Sequence, residues 1–149
     1  MSKHIVKLTD TENNIPVVRF HIGNGQAGYA IIDTGSEVSI FDTDFVSDNM
    51  NSFEKTDSTP YGVSHIAGAD LNTQSSYYST TVTVGEDNPM SFSMAALSYP
   101  IYHLSKFFEE SRENINVTAI IGTDVLSKTR VDINFETKEI TLNDDLLSK

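Results

Sequence analysis

The sequence predicts an all-β domain that contains one or two short helices. Runs in which apolar and polar residues alternate recur along the chain, and a period of two is typical of half-buried strands. Glycine, asparagine and proline separate these runs, as tight turns require. The 149 residues can bury one core, and neither a linker nor a repeat divides them, so we expect a single domain over residues 1–149.

Eight runs are rich in the β-branched and aromatic residues that strands favour. In chain order they are Ile5–Leu8, Pro16–Ile22, Tyr29–Ile32, Ser75–Val84, Met90–Leu97, Val117–Ile121, Arg130–Phe135 and Glu139–Leu142. Residues 42–50 have the mixed composition of a helical turn, and residues 51–60 are polar enough for a loop. Helices are predicted at Ser105–Glu113, where apolar residues fall at helical spacing, and at Thr123–Ser127, directly after a glycine.

The segment Gly23–Gly28 lies between two predicted strands and matches the dinucleotide-binding pattern G-x-G-x-x-G. That pattern requires a helix directly after it and an acidic residue about twenty positions later. Here a strand-like run follows, and Asp33 comes much too early. We therefore interpret Asn24 and Gly25 as the turn of a β-hairpin and expect no nucleotide cofactor.

The charge of the chain limits its partners. The sequence contains 10 Lys and Arg residues against 21 Asp and Glu residues, which gives a formal net charge of −11. Such a surface repels phosphate backbones and anionic lipids, so we expect neither a nucleic acid nor a membrane as a partner. The chain has no cysteine, and its four histidines share no metal-ligand spacing. The sequence therefore predicts no metal site and no cofactor.

The N-terminal residues predict a cytoplasmic location. Polar residues occur too early there for a signal peptide, and no apolar run approaches the roughly 18 residues that cross a membrane. Release of the chain from a longer precursor is an alternative that this pattern leaves open.

The most informative motif is Ile31-Ile32-Asp33-Thr34-Gly35-Ser36, which is followed by the apolar run Val38–Phe41. Two apolar residues end a strand, an aspartate stands at its tip, and a glycine allows the sharp turn that follows. This arrangement places a carboxylate at the mouth of an apolar cleft. A second motif, Ala119–Leu126, consists of an apolar strand, a glycine and a short helix that ends in leucine.

These two motifs, in this order, resemble the signature of the retropepsin-like aspartic proteases. The resemblance implies a closed β-barrel of the acid protease fold and a catalytic loop formed by Asp33, Thr34 and Gly35. Because the chain carries a single Asp-Thr-Gly and has no room for a second lobe, it also implies a homodimer in which each chain supplies one Asp33. Two such carboxylates share a proton and activate a water, which hydrolyses a peptide bond in a peptide or protein substrate.

The resemblance further implies which residues contact the substrate. A mobile hairpin, the flap, is expected over residues 61–69. The implied substrate-binding residues are Ile31, Ser36, Glu37, Val38, Ile40, Val63, Ser64, His65, Ile66, Ala67, Gly68, Thr118 and Ile120. Most of them are apolar, which favours substrates with apolar side chains beside the cleaved bond. Ser36 is expected to donate a hydrogen bond to the Asp33 carboxylate and so favour its ionised form, and Thr34 to bond across the dimer axis.

Two features depart from the smallest members of that family. The stretch over residues 97–116 is longer, and the chain continues past Phe135, near where those proteases end. The additional C-terminal residues, 136–149, could form a different dimer sheet.

Two other functions remain open for this sequence. A module of the same fold without catalysis could bind extended peptides by β-augmentation, although an intact Asp33-Thr34-Gly35 favours catalysis. An unrelated β-barrel domain would hold Asp33 in an ordinary surface turn. For Gly122-Thr123-Asp124 of the second motif, we predict a structural strand-to-helix turn in which Thr123 or Asp124 caps the helix.

Overall fold

Strands dominate the part of the chain that the computed structural model describes, which comprises residues 3–56, 65–66, 69–70, 76–86 and 89–143. The strands are β1 (Lys3–Lys7), β2 (Val17–Ile22), β3 (Ala27–Ile32), β4 (Ile40–Phe41), β5 (Glu54–Thr56), β6 (His65–Ile66), β7 (Ala69–Asp70), β8 (Tyr77–Val84), β9 (Met90–Ser98), β10 (Val117–Ile121), β11 (Val131–Asn134) and β12 (Glu139–Asn143). The helices are α1 (Thr43–Asp48) and α2 (Thr123–Leu126), and two 3-10 helices span Met50–Ser52 and Tyr102–Phe108. None of the helices in the described ranges is long and apolar enough to cross a membrane.

Six strands close into a barrel. Neighbours pair in the order β2-β3-β10-β4-β9-β8, and β8 pairs back onto β2, with Phe20 opposite Val84 and Ile22 opposite Val82. The pairs β3–β10 and β4–β9 are parallel, whereas the other pairs of the barrel are antiparallel. Strand β5 extends the sheet beyond β8. The predicted all-β fold with a closed barrel and short helices is thus confirmed.

The two ends of the described chain meet in a separate three-stranded sheet, in the order β1-β12-β11. Strand β1 pairs antiparallel with β12, with Ile5 opposite Thr141. Alternation along these strands turns Val6, Ile140 and Leu142 toward the barrel, where they are buried in its core. Within the described ranges, neither β1 nor β11 has a further strand beside it, so this sheet leaves two edges unpaired.

Phenylalanine rings form the centre of the barrel core. The ring centroids of Phe41 and Phe53 lie 5.1 Å apart, and those of Phe20 and Phe45 lie 5.9 Å apart, both in edge-to-face geometry. Such pairs stabilise a core beyond the area they bury. All four side chains are at most 7% exposed, so the barrel is a packed interior and not an open channel.

The outer face of the same sheet carries a second buried group, the outer-face cluster, because successive strand residues point to opposite faces. Its members are Val17, Val38, Ile40, Tyr77, Leu97, Ile101, Phe108, Ile115, Val117 and Ile120. Ile101, Phe108 and Ile115 lie between β9 and β10, in a stretch that we call the cap segment (residues 99–116). The cap segment therefore covers one side of the barrel with apolar side chains.

Asp42 fixes the start of the cap segment to the barrel. Its side chain is buried, and one carboxylate oxygen accepts hydrogen bonds from the backbone N–H groups of Ile101 (2.9 Å) and Tyr102 (3.0 Å). The other oxygen accepts from the N–H of Asp44 (3.2 Å) and caps α1. A buried carboxylate needs such donors, because an unpartnered charge is strongly disfavoured in a protein interior.

Replacing Asp42 with alanine should lower the free energy of unfolding by roughly 3 kcal/mol, since each buried donor that loses its partner costs about 1–3 kcal/mol. Urea unfolding followed by circular dichroism measures this loss. Asp44→Ala is the matched control, because Asp44 lies exposed in the first turn of the same helix and should contribute less than about 1 kcal/mol. Equal losses in the two variants would contradict the role of Asp42.

The helix expected at Ser105–Glu113 is wrong in type and position. The chain forms a 3-10 helix from Tyr102 to Phe108, and residues 109–116 form neither helix nor strand. Because Asp42 binds the N–H groups where this helix begins, a tertiary contact and not apolar spacing sets its position. Strands β4 and β5 are not predicted from the sequence, because two or three residues are too few to show an alternating pattern.

The interpretation of Gly23–Gly28 as a hairpin turn is confirmed. Strands β2 and β3 pair antiparallel on either side of it, and the N–H of Ile22 donates to the carbonyl of Gln26 at 3.0 Å. Gly25 has a φ of +84°, a conformation that glycine adopts without steric cost. Strand β3 thus follows where a dinucleotide-binding loop needs a helix.

Candidate active site

Asp33 follows the last residue of β3 and begins a tight turn. Its N–H donates to the carbonyl of Ile121 on the parallel neighbour β10 (2.9 Å), and the N–H of Ser36 donates to the carbonyl of Asp33 (3.2 Å). One carboxylate oxygen of Asp33 accepts the N–H of Gly35 at 2.9 Å. Asp33 is half-buried, whereas Thr34 and Gly35 are exposed. The turn therefore presents a carboxylate and its two neighbours at the end of a hydrogen-bonded sheet.

The start of the second motif packs directly on this turn. Gly122 follows β10, and a methyl group on its α-carbon would lie 2.5 Å from the carbonyl oxygen of Ser36 and 3.0 Å from that of Val38. Only glycine leaves room for so close an approach. The N–H and the hydroxyl of Thr123 both donate to the same Ser36 carbonyl, at 2.8 and 3.2 Å. These contacts hold the turn against the junction of β10 and α2.

Ser39 and Asp124 join the two motifs a second time. The Asp124 carboxylate accepts from the hydroxyl of Ser39 (2.7 Å), the N–H of Ser39 (3.0 Å) and the N–H of Val125 (2.9 Å). The Ser39 hydroxyl in turn accepts from the N–H of Gly122 (2.9 Å). The cap predicted for Thr123 or Asp124 is wrong, because Gly122 is the N-cap of α2 and no side chain caps this helix. Asp124 instead has a structural role in joining Ser39 to the start of α2. The role of Ser39 is not predicted from the sequence, although its hydroxyl is the only polar side chain in the apolar run Val38–Phe41 and could have indicated it.

The expected role of Ser36 is wrong. Its hydroxyl donates to the carbonyl of Val38 at 2.7 Å, and a hydroxyl has a single proton to donate. The donor to the Asp33 carboxylate is instead the backbone N–H of Gly35. The Ser36 hydroxyl therefore stabilises the loop that follows the turn and does not donate to the Asp33 carboxylate.

The residues implied as walls of a substrate groove differ in exposure. Beside the Asp33 turn, Ile31 is half-buried and Glu37 is exposed. Val38 and Ile40 are 0% and 1% exposed and Ile120 is 6% exposed, because these three belong to the outer-face cluster that the cap segment covers. Contact between a ligand and Val38 or Ile40 would therefore require the cap segment to move.

Thr118 lies where the register between β10 and β3 shifts. Its hydroxyl is buried and has no hydrogen-bond partner among the described residues. A methyl group on Gly28 would overlap this hydroxyl and lie 2.8 Å from the Phe20 ring. Since Phe20 belongs to the barrel core, the Thr118 hydroxyl is directed into the barrel, and substrate contact by this residue stays a prediction.

The implied flap falls mostly outside the described residues, which exclude Val63, Ser64, Ala67 and Gly68. The backbone of β6, which contains His65 and Ile66, pairs antiparallel with β7. Two short paired strands therefore occur between β5 and β8, where the flap is expected. Contact between these strands and a substrate stays a prediction.

Two tyrosines on the outer face are held in their neutral form. Burial, followed by the negative charge of Asp124, raises the pKa of Tyr77. Burial also raises the pKa of Tyr29, and the hydrogen bond from its hydroxyl to Glu113 (3.2 Å) acts in the same direction. Neither hydroxyl therefore supplies a base near neutral pH, and the Tyr29 contact ties the cap segment to β3.

A cavity of about 450 Å³ opens within the cap segment and not at Asp33. The residues that line it include Tyr102, Lys106 and Arg112, and residues 33–36 are not among them. Within the described ranges, no group of three or more His, Asp and Glu side chains could hold a metal ion.

The likeness of this chain to known proteins is found in structure and not in sequence. No known protein family matches the sequence, and no curated protein matches it. Among solved structures, the chain is similar to a retropepsin-like aspartic protease from Rickettsia conorii, with a TM-score of 0.45 and 8% sequence identity. The likeness covers 95% of this chain and 90% of that one. At such low identity it concerns the course of the backbone and assigns no residue a role.

Proposed function

We propose that the chain is an aspartic endopeptidase of the retropepsin type, active as a homodimer in which each chain supplies one Asp33. The substrate is a peptide bond in an extended peptide or protein segment. The observation that supports the proposal is the Asp33 turn, in which a half-exposed carboxylate is flanked by exposed Thr34 and Gly35 and held by Gly122 and Ser39 of two separate motifs. An ordinary surface turn needs no such support.

In the proposed reaction two Asp33 carboxylates lie close together and share one proton, since both cannot ionise at short range. The ionised carboxylate takes a proton from a water, whose oxygen attacks the carbonyl carbon of the scissile bond. The protonated carboxyl meanwhile donates to the carbonyl oxygen. The tetrahedral gem-diol then collapses as the C–N bond breaks. The leaving nitrogen takes up a proton from the carboxyl that received it from water, and one hydroxyl of the gem-diol returns its proton to the other carboxylate.

The contacts of the turn suit this chemistry. The N–H of Gly35 binds one oxygen of Asp33 and so fixes the plane of the carboxylate. Thr34 is exposed and is available for a hydrogen bond across the dimer axis. The close packing of Gly122 against the carbonyl of Ser36 holds the loop in place, which matters because a displacement of about 1 Å can lower a rate roughly 10²-fold.

The three-stranded sheet of β1, β12 and β11 is the surface that we propose joins two chains. The unpaired edges of β1 and β11 can accept a strand from a second copy. Ile5 on β1 is 61% exposed and Phe135 beside β11 is 55% exposed, so both could be covered by a partner. Charge opposes association, since each chain carries −11, and added salt should therefore strengthen the dimer.

Dilution tests the proposal. Specific activity on a peptide mixture, followed by mass spectrometry, should fall as the chain is diluted through the dimer dissociation constant measured by analytical ultracentrifugation. Higher salt should move the dissociation constant and the midpoint of activity loss together to lower protein concentration. Constant specific activity from a chain shown to be monomeric would overturn the proposal. A dimer that binds peptides without cleaving them would instead support the peptide-binding module.

A further inference from the structure

The cap segment covers the wall that adjoins Asp33. Ile31 precedes Asp33 by two residues on the outer face of β3, and Ile120 lies opposite Ile31 on β10. Ile120 is a member of the outer-face cluster and Ile31 packs against it. Phe108 contributes the largest cap side chain to the same cluster and is 2% exposed. The apolar surface beside the carboxylate therefore belongs to a cluster that the cap segment completes, and Ile31 at its margin is left half-buried.

Hydrogen bonds fix the cap segment at both ends and in the middle. At the start of the segment, the N–H groups of Ile101 and Tyr102 donate to Asp42 (2.9 and 3.0 Å). In the middle, the Asn13 amide donates to the carbonyl of Phe107 (2.8 Å), and the hydroxyl of Ser105 accepts from the N–H of Val117 (2.9 Å). Toward the end, the hydroxyl of Tyr29 donates to Glu113 (3.2 Å). A segment with buried apolar contacts and bonds along its length opens less readily than a loose loop. The cap segment is therefore a fixed part of the wall.

We propose that the cap segment, through Phe108, restricts the site at Asp33 to substrates with a small side chain, alanine and not leucine, at a position next to the cleaved bond. This inference rests on the proposed function, whose substrate it narrows. Space is the reason: a bulky side chain entering against Ile31 and Ile120 would have to be inserted into the outer-face cluster, whose cap side includes the buried Phe108, and close-packed interiors resist insertion of further groups. If only the apolar character of this wall mattered, large and small apolar side chains of the substrate would be favoured equally.

Two adjacent phenylalanines provide a matched test. Phe108 is 2% exposed, whereas Phe107 is 60% exposed. Shortening Phe108 to leucine or alanine opens space within the outer-face cluster, while the same changes at Phe107 alter only the surface. The leucine variant keeps most of the buried side chain, so it stays informative where the alanine variant fails to fold. Thermal unfolding identifies which variants are folded.

The measurement is the ratio of kcat/KM for two peptides that differ only in alanine or leucine next to the cleaved bond. We expect the parent chain to prefer alanine. Folded Phe108→Leu or Phe108→Ala should shift this ratio toward leucine by at least about tenfold, because one methylene in an apolar pocket is worth roughly 10–200-fold. Phe107→Leu and Phe107→Ala should leave the ratio unchanged. Binding of a peptide library to the Asp33→Asn chain, measured by fluorescence anisotropy, gives a readout that needs no turnover.

The outcomes separate this inference from the proposed function. If the parent cleaves peptides but prefers leucine, or if the folded Phe108 variants keep the parent ratio, the inference is overturned and the proposed function stands. If the parent does not cleave, but Asp33→Asn prefers alanine peptides and loses this preference when Phe108→Leu is added, the inference stands and catalysis is overturned. If the chain shows neither cleavage nor selective binding, both the inference and the proposed function are overturned.

Discussion

Asp33→Asn is expected to lower kcat/KM for peptide cleavage by at least about 10³-fold, because an amide cannot take a proton from water and general acid–base catalysis contributes roughly 10²–10⁴-fold. The amide has nearly the shape of the carboxylic acid. Its oxygen can still accept the N–H of Gly35, which lies 2.9 Å from the Asp33 carboxylate. The free energy of unfolding should therefore not fall, so that a loss of activity reports the chemistry.

Asp48→Asn is the control for this substitution, because it makes the same chemical change at an exposed position of α1 and should leave kcat/KM unchanged. Mixed dimers give a more stringent test. When parent and Asp33→Asn chains are unfolded and refolded together in equal amounts, random pairing should leave about half of the parent activity. A site within one chain would leave all of it. Full activity in the Asp33→Asn chain or in the mixture would contradict a dyad formed by two Asp33 carboxylates.

The Asp33 turn can be predicted from sequence because its information is local. An apolar strand, a carboxylate and a glycine follow one another closely in the chain. Strand β10 and helix α2 begin at Val117 and Thr123, where the sequence predicts a strand and a helix to begin. The long strands β8 and β9 are equally predictable, because an alternating pattern continues over eight and nine residues. Local periodicity and composition therefore define most of the barrel.

The support of that turn cannot be predicted from the same patterns. Ser39 and Asp124 are 85 residues apart and meet only through the pairing of β4, β10 and β3. Asp42 likewise reaches the cap segment across 59 residues. The prediction for Ser36 is wrong for the opposite reason. The carbonyl of Val38, two residues away, is an acceptor within reach of its hydroxyl, and short side chains often bond nearby backbone groups. The hydroxyl that joins the two motifs is instead that of Ser39, through non-local contacts.

Gly122→Ala is expected to lower stability by about 3 kcal/mol and kcat/KM by about 10²-fold. The backbone of Gly122, at φ −101° and ψ −172°, is open to any residue, so a loss would come from lack of space alone. The new methyl group would lie 2.5 Å from the carbonyl oxygen of Ser36 and 3.0 Å from that of Val38. Backbone atoms cannot rotate aside as a flexible side chain can, and the Asp33 turn would have to move away from β10.

Gly23→Ala is the matched control, because a methyl group on Gly23, in the turn between β2 and β3, would meet nothing within 4 Å and should change stability by less than about 0.5 kcal/mol. Urea unfolding gives the stabilities, and kcat/KM is measured at a temperature at which both variants are folded. Full activity in folded Gly122→Ala would show that the second motif does not set the position of Asp33. Because Gly122 contacts the turn through backbone atoms, a loss of activity in the folded variant would link the position of Asp33 to catalysis without any change to its carboxylate.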